Sequence, residues 1–354
     1  MISRRTLLGA AATIPLAMPA IAQTRTVSFT LPYIVQGTSM FPFVGRARGL
    51  FAKRGIDLQI SRGAGSIAAA QAVAAGQFDF GMAISPPLVL LIAKGLPLNL
   101  IGQIDHDSMM GIGLLGDSPI TSAKQLAGKK IGNVQASAEV PFFPAYAEKV
   151  GLDLKTVEVI STDPKLLERL LADKQVDAIT GVASSSMPTL LSRDIQVRWM
   201  LYTSAGLPSY GTAIITNPDH VRKDPGLCQA VVDGLLESLS VVLLEPDAAM
   251  ELLFKEVPEL ALSASSRTFI RIGMQAQQFA VTRPETRMHG LGWADPAVYE
   301  AMTDLVLKAA APPGTARPPL ETWFTNRFAG NITLRPAQWD GIAASGLDFG
   351  KRLV

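Results

Sequence analysis

The stretch IDLQISRGAGSIAAAQAVAAGQFDFGMAI, residues 56–84, decides the fold class. Residues 56–61 read as a strand, 66–75 as a small-residue helix ended by Gly76, and 78–84 as a second strand. A strand, a helix and a strand joined this tightly form a crossover unit with parallel strands. Working outward, residues 27–34 read as a preceding strand and 40–54 as the helix between. A helix at 87–94 and a strand at 98–104 follow, so the opening region is βαβαβαβ. A second series has strands at 130–134, 156–160, 176–180 and 196–201 and helices at 140–150 and 165–172. Residues 226–311 read as mostly helical, with Pro-rich punctuation at 311–319.

Two α/β lobes follow, each with a parallel sheet covered on both faces. Residues 211–216 read as a strand leading into the helical stretch; this run and that at 111–115 lack the βα rhythm and read as two crossings, a hinge. Residues 23–115 and 206–354 then form lobe 1, and 116–205 an inserted lobe 2. A cleft between such lobes is faced by strand carboxyl ends and helix amino ends, where open α/β sheets bind ligands. Closure about the hinge would bury the ligand.

Composition limits the function classes. The 354 residues are 48% hydrophobic and 18% charged, which suits a globular core, and 32 basic residues oppose 30 acidic ones. No basic run offers a footprint for nucleic acid. The lone cysteine, Cys228, excludes an internal disulfide framework and any CxxC metal or redox motif. GxSxG, HExxH and P-loop motifs are missing.

Residues 1–22 read as an export signal: a basic start, the uncharged TLLGAAATIPLA at 6–17, and Ala20-Ile21-Ala22 before a cleavage point near Ala22. The string SRRTLL, residues 3–8, resembles the twin-arginine signal, an address for proteins exported folded. No cysteine follows the cleavage point, so no lipid anchor is expected, and the expected compartment is the periplasm. Losing Arg4 and Arg5 takes the 32 basic residues to 30, against 30 acidic ones, so the mature chain is formally neutral.

Six strings, in order along the chain, together carry a family resemblance: FVGRARGLFAKRGIDLQI (43–60), GSIAAAQAVAAGQFDFG (65–81), KGLPLNLIGQ (94–103), SAKQLAGKKIGNV (122–134), LLADKQVDAIT (170–180) and FTNRF (324–328). The chain resembles the substrate-binding proteins of ABC importers, in the branch that contains sulfonate, taurine, nitrate and thiamine-pyrimidine-precursor binders. The resemblance implies the type II periplasmic-binding-protein fold, a small-molecule ligand and delivery to an ABC permease in the inner membrane. A monomer without cofactor is expected. The glycines and Asp79 and Asp177 within these strings are assigned to architecture, as helix ends and polar entries into buried strands.

Candidate ligand-binding residues lie in loops after strands. Gln36, Thr38 and Ser39 follow the first strand; Arg62, Gly65 and Ser66 the second; Ser85 the third. Gln135, Ser137 and Glu139 stand where lobe 2's first helix begins, Ser184 and Ser185 after its third strand, and Tyr210 near the return crossing. Neutral hydrogen-bonding groups at helix amino ends can hold an anion without a countercharge, although serine there is also an ordinary helix cap. Arg62 offers a bidentate clamp. Glu139 would instead pair with an amine or aminopyrimidine, and Tyr33, Phe41, Phe142, Phe143, Tyr210 and Trp293 are candidates to stack on a flat ring. Asp105-His106-Asp107 reads as a rim or hinge loop, since His220 and His289 show no ligand spacing. The expected function is capture of a small anion such as a sulfonate or nitrate. The alternatives are an aromatic heterocycle, a pyrimidine-synthase-like enzyme and a ligand-sensing module.

Overall fold

The structure is a computed structural model that describes residues 24–354. The export signal read over residues 1–22 and its cleavage near Ala22 lie outside these residues. The first sheet takes β1 (Arg25–Thr30), β2 (Ile56–Ser61), β3 (Phe80–Ile84) and β4 (Asn99–Gln103). Helices α1 (Phe41–Ala47), α2 (Ser66–Ala74) and α3 (Ser85–Ala93) connect them in turn. The second sheet is built from β5 (Met110–Leu115), β6 (Lys130–Asn133), β7 (Glu158–Ser161), β8 (Ala178–Val182) and β9 (Val197–Leu201). Its helices are α4 (Phe143–Val150), α5 (Leu167–Ala172) and α6 (Ala183–Leu191), and β10 (Thr212–Thr216) returns to the first sheet. The remaining helices are α7 (Pro218–Lys223), α8 (Pro225–Leu244), α9 (Pro246–Glu256), α10 (Ala264–Val281), α11 (Pro284–His289), α12 (Pro296–Ala310) and α13 (Pro336–Gly350).

The sheet orders are β2-β1-β3-β10-β4 and β7-β6-β8-β5-β9. Each holds four like-directed strands and one antiparallel strand wedged between the last two, β10 in the first and β5 in the second. After each passage between the lobes the first strand formed is therefore the inserted one. The strand expected at 211–216 is β10, but it and residues 111–115 lie inside the sheets and are not the crossings, and neither sheet is wholly parallel. The connections between the sheets are residues 104–109 and 202–211. Glycines hid β5: a Cβ on Gly113 would meet the Trp199 indole at 2.2 Å, and one on Gly111 would meet the Met200 carbonyl at 2.2 Å. Trp199, fully buried, lies across β5 and needs that bare backbone.

The helix expected at 40–54 ends at Ala47, and a short 3₁₀ turn, Ala52–Arg54, leads into β2. FTNRF is architectural, as Phe324 and Phe328 are buried and Asn326 exchanges two hydrogen bonds with the Ala294 backbone.

One core packs α1, α8, α9 and α10 on the first sheet, through Phe29, Phe41, Phe51, Leu239 and Leu253. A second joins the sheet's other face to α3, α12 and part of lobe 2. Fully burying each large side chain contributes roughly 1.5–3 kcal/mol. The third core belongs to lobe 2, yet Ala276 and Ala280 of α10 and Phe349 of α13 are members. Ile270 and Met274 of α10, with Trp339 and Ile342 of α13, sit in the first core. These two helices are thus embedded in both lobes. The final residues extend the tie: Trp199 N donates to Arg352 O at 2.8 Å, and Val354 N to Trp199 O at 2.7 Å.

Candidate functional site

A cleft with a volume of about 420 Å³ opens between the lobes. Its walls are the segments that follow strands. In lobe 1 these are the loop after β1, the entry to α2 and the end of β3; in lobe 2, residues 134–138 after β6, the start of α5, and the passage from β8 into α6. The carboxyl ends of the like-directed strands aim both lobes' helix starts at one space, as open α/β sheets do. Helices α2 and α6 each begin without a side-chain cap, at Gly65 and Val182, so their first-turn N–H groups remain available at the cleft, apart from Ala183 N, which donates to Met109 O at 2.8 Å.

Of the candidates read from sequence, Gln36, Thr38, Ser39, Gly65, Ser66, Ser137, Ser184 and Ser185 line this cleft. Two of these hydroxyls already have local work. Ser39 Oγ accepts from Gln36 N at 3.2 Å, and Ser66 Oγ accepts from Ile84 N at 3.1 Å. The loop carrying Gln36, Thr38 and Ser39 rests directly on the α10 backbone. A Cβ on Gly37 would meet Ile270 O and Met274 N at 2.3 Å, and one on Gly273 would meet Gly37 N at 2.8 Å.

Five candidates lie elsewhere. Arg62 is exposed and paired with Glu259, because the chain turns away from the cleft after β2 and Glu259 is the nearest opposite charge. Ser85 is fully buried and donates to Gly211 O at 2.8 Å, tying α3 to the return connection. Gln135 points to solvent between two cleft neighbours, Val134 and Ala136. Tyr210 is buried, its hydroxyl accepting from Asp295 N at 3.0 Å and its ring edge-on to Tyr299. Glu139 is wholly buried behind the lobe 2 wall. Thr180 donates to its Oε1 at 3.1 Å, while Oε2 has no partner. Burial pushes its carboxyl up from the ordinary range, against the pull of the Ser137 and Thr180 hydroxyls. Tyr202 nearby is raised further, by burial and by the Glu139 charge.

Sequence reasoning missed Glu168. It lines the cleft from the first turn of α5, and Ser186 Oγ donates to its Oε1 at 2.7 Å. An acid in the first turn of a helix that follows a parallel strand was the available signal, masked by the ordinary preference of acids for that place. Among the described residues no Lys, Arg or His lines the cleft, Glu168 is its one carboxylate and Tyr33 its one aromatic. Phe41, Phe142 and Phe143 are core residues, and Trp293 stacks on His289. Asp105, His106 and Asp107 are buried in the first connection between the lobes, with His106 Nε2 bound to Trp293 O at 2.8 Å.

The sequence profile of the family described as NMT1/THI5 like matches residues 37–249, more than half of the chain. The chain is 25% identical over 201 residues to a Haemophilus influenzae protein named for thiamine biosynthesis, a match covering 56% of this chain and 63% of that protein's length. It is 22% identical over 251 residues to the formylaminopyrimidine-binding protein of Halalkalibacterium halodurans, covering 67% and 76%. In structure it resembles the periplasmic aliphatic sulphonate binding protein SsuA from Escherichia coli, with TM-score 0.65, 16% identity and coverage of 82% and 95%. The same fold carries the desulfurization enzyme DSZB, with TM-score 0.52, 16% identity and coverage of 86% and 97%. The type II periplasmic-binding-protein architecture is thereby established, and fold alone does not choose between binding and catalysis.

Proposed function

The chain belongs to the NMT1/THI5-like family, and from that premise we propose that it is an exported, periplasmic solute-binding protein that closes on a small amine-bearing heterocycle and delivers it to an ABC permease. The observation that carries the choice of ligand is the charge of the cleft. Among the described residues its ionisable groups besides the Tyr33 phenol are carboxylic: Glu168 on the wall, with Glu139 buried behind it. A sulfonate would meet Glu168 with no cation to offset it, whereas an amino group would gain a charge-assisted hydrogen bond. Ring nitrogens and carbonyls can accept from the uncapped starts of α2 and α6. Tyr33 supplies a face for the ring. This reverses the preference for an anion drawn from the serine-rich helix starts, which left out Glu168. The relative named for binding formylaminopyrimidine points the same way.

We read the protein as a binder and not an enzyme because, among the described residues, neither His nor Cys lines the cleft and Cys228 is buried in the first core; the hydroxyl-to-carboxylate pair there, Ser186 on Glu168, has no imidazole or amine beside it to carry a proton onward. The test is calorimetric titration of the mature protein with a 4-aminopyrimidine and with an alkanesulfonate. The account predicts saturable binding of the first, weakened at least tenfold by Glu168→Gln. Binding of the sulfonate alone would overturn it, and turnover of the bound compound would restore the enzyme reading.

A further inference from the structure

The first connection between the lobes carries a carboxyl group for which neither binding nor folding, as described so far, has any use. Asp105 is buried where residues 104–109 leave β4. Its backbone is fully engaged: its N donates to Thr212 O at 3.1 Å, and its O accepts from Gly211 N at 2.7 Å and from Gln103 Nε2 at 2.6 Å. The connection is therefore held in place, and the side chain is aimed at α10. There Gln277, itself wholly buried, donates Nε2 to Asp105 Oδ1 at 2.5 Å, while Gln277 Oε1 has no partner. A water-sized cavity of about 10 Å³ adjoins Asp105, lined also by Thr38, Ser184 and Thr212, which line the ligand cleft.

We propose that Asp105 is a positioning residue for the cleft: protonated, it pairs with the Gln277 amide through both donor and acceptor and fastens the connection to α10; ionised, it keeps only the amide's N–H and loosens the cleft floor. The chemistry is complementary in one protonation state only. A carboxylic acid has a proton to give, and the amide has an unused acceptor. A carboxylate can take the amide's N–H but leaves Oε1 unpartnered and sets a buried charge beside a second acid, Asp107. The charged and titratable neighbours do not cancel it. Asp107 is pushed up by burial, Arg283 reaches Asp107 at 3.8 Å and is spent there, and burial holds His106 down at about 4 with Glu285 and Arg283 acting on it in opposite senses. Burial raises Asp105 itself from 3.8 to about 6, with Thr212 and Gln277 pulling down and Asp107 adding to the rise. Because α10 also carries the loop of Gln36, Thr38 and Ser39 and packs on α6, a loosened connection is transmitted to both walls of the cleft.

The sign follows from linkage. A carboxyl raised in the folded state adds its full stability below about pH 4, and that contribution drains away as pH rises through about 6. The shift corresponds to roughly a hundredfold in the folding equilibrium. Asp105→Asn keeps the pairing at every pH, because the Asn amide donates where the acid did. The test is the melting temperature of the ligand-free protein from pH 4 to 8, with hydrogen exchange of residues 104–109 corrected for intrinsic rates. Wild type should lose about a hundredfold in folding equilibrium relative to Asp105→Asn between pH 4 and 6.5, then run level with it. Its 104–109 amides should exchange faster at pH 7 than at pH 4.5. Parallel melting profiles for the two proteins would overturn the proposal, as would exchange independent of pH should the variant fail to fold. No ligand enters either measurement, so the outcome is separate from the choice of heterocycle over anion.

Discussion

Gly37→Ala is the perturbation that most directly asks whether α10 sets the shape of the cleft. An added Cβ would stand 2.3 Å from Ile270 O and Met274 N and 2.5 Å from Gly273 C, all backbone atoms that cannot rotate aside. Ordinary contact begins near 3.4 Å, so loop and helix must separate by about 1 Å. Helix α10 is fixed in two cores, and the lighter partner, the loop bearing Gln36, Thr38 and Ser39, is the one that moves. Overpacking of this kind costs about 1–3 kcal/mol, or a fall of roughly 2–6 °C in melting temperature for a chain of this size. Displacing three cleft residues by about 1 Å should weaken ligand affinity by roughly ten- to a hundredfold. The control is Gly45→Ala on α1, where a Cβ would meet Ser238 Oγ of α8 at 1.7 Å and neither residue lines the cleft. Calorimetry with a 4-aminopyrimidine and thermal melts on both variants separate the effects. Both should melt lower, and only Gly37→Ala should bind poorly. Affinity within twofold of wild type for Gly37→Ala, or equal losses in the two variants, refutes the reasoning.

Other expectations are as definite. Glu168→Gln should leave the melting temperature within about 1 °C while costing about 1.5–3 kcal/mol of binding to an amine-bearing probe, read by calorimetry. Glu139→Gln should melt level with wild type below the ordinary glutamate value of 4.5 and progressively higher as pH rises above it, since a buried carboxyl pushed upward is destabilising only where it must ionise; a pH series of melts checks this. Trp199→Ala should cost about 3–5 kcal/mol in denaturant unfolding, because the indole fills the space left by Gly111 and Gly113. Ser66→Ala should destabilise by about 1–2 kcal/mol through the abandoned Ile84 N–H, even without ligand.

The parallel βα units were legible because each rests on a local signal. The strand expected at 56–61 is β2, and the helix expected at 66–75 is α2 less its last residue. β10 was expected as a strand, but not its antiparallel place inside the first sheet, and β5 was not expected as a strand: it is interrupted by glycines whose purpose, clearance for Trp199, lies more than eighty residues away in sequence. The cleft was legible to the same degree, because loops after parallel strands face it whatever their side chains. Eight candidates reach it for that reason. Where the argument needed direction as well as position it failed. Arg62 follows a strand but turns out toward Glu259, and Glu139 stands at a helix start but turns inward to Thr180. Glu168 escaped notice because its first-turn position has a sufficient local explanation, and only its distance to Ser186 and its place on the wall give it a second one.

The central claim, that a cleft with a carboxylate and no cation selects an amine-bearing heterocycle, is tested most directly by titrating the mature protein with a 4-aminopyrimidine and an alkanesulfonate under identical conditions near pH 7. The account predicts that the pyrimidine binds and that the sulfonate gives no saturable heat. Tight binding of the sulfonate, undiminished in Glu168→Gln, would contradict it.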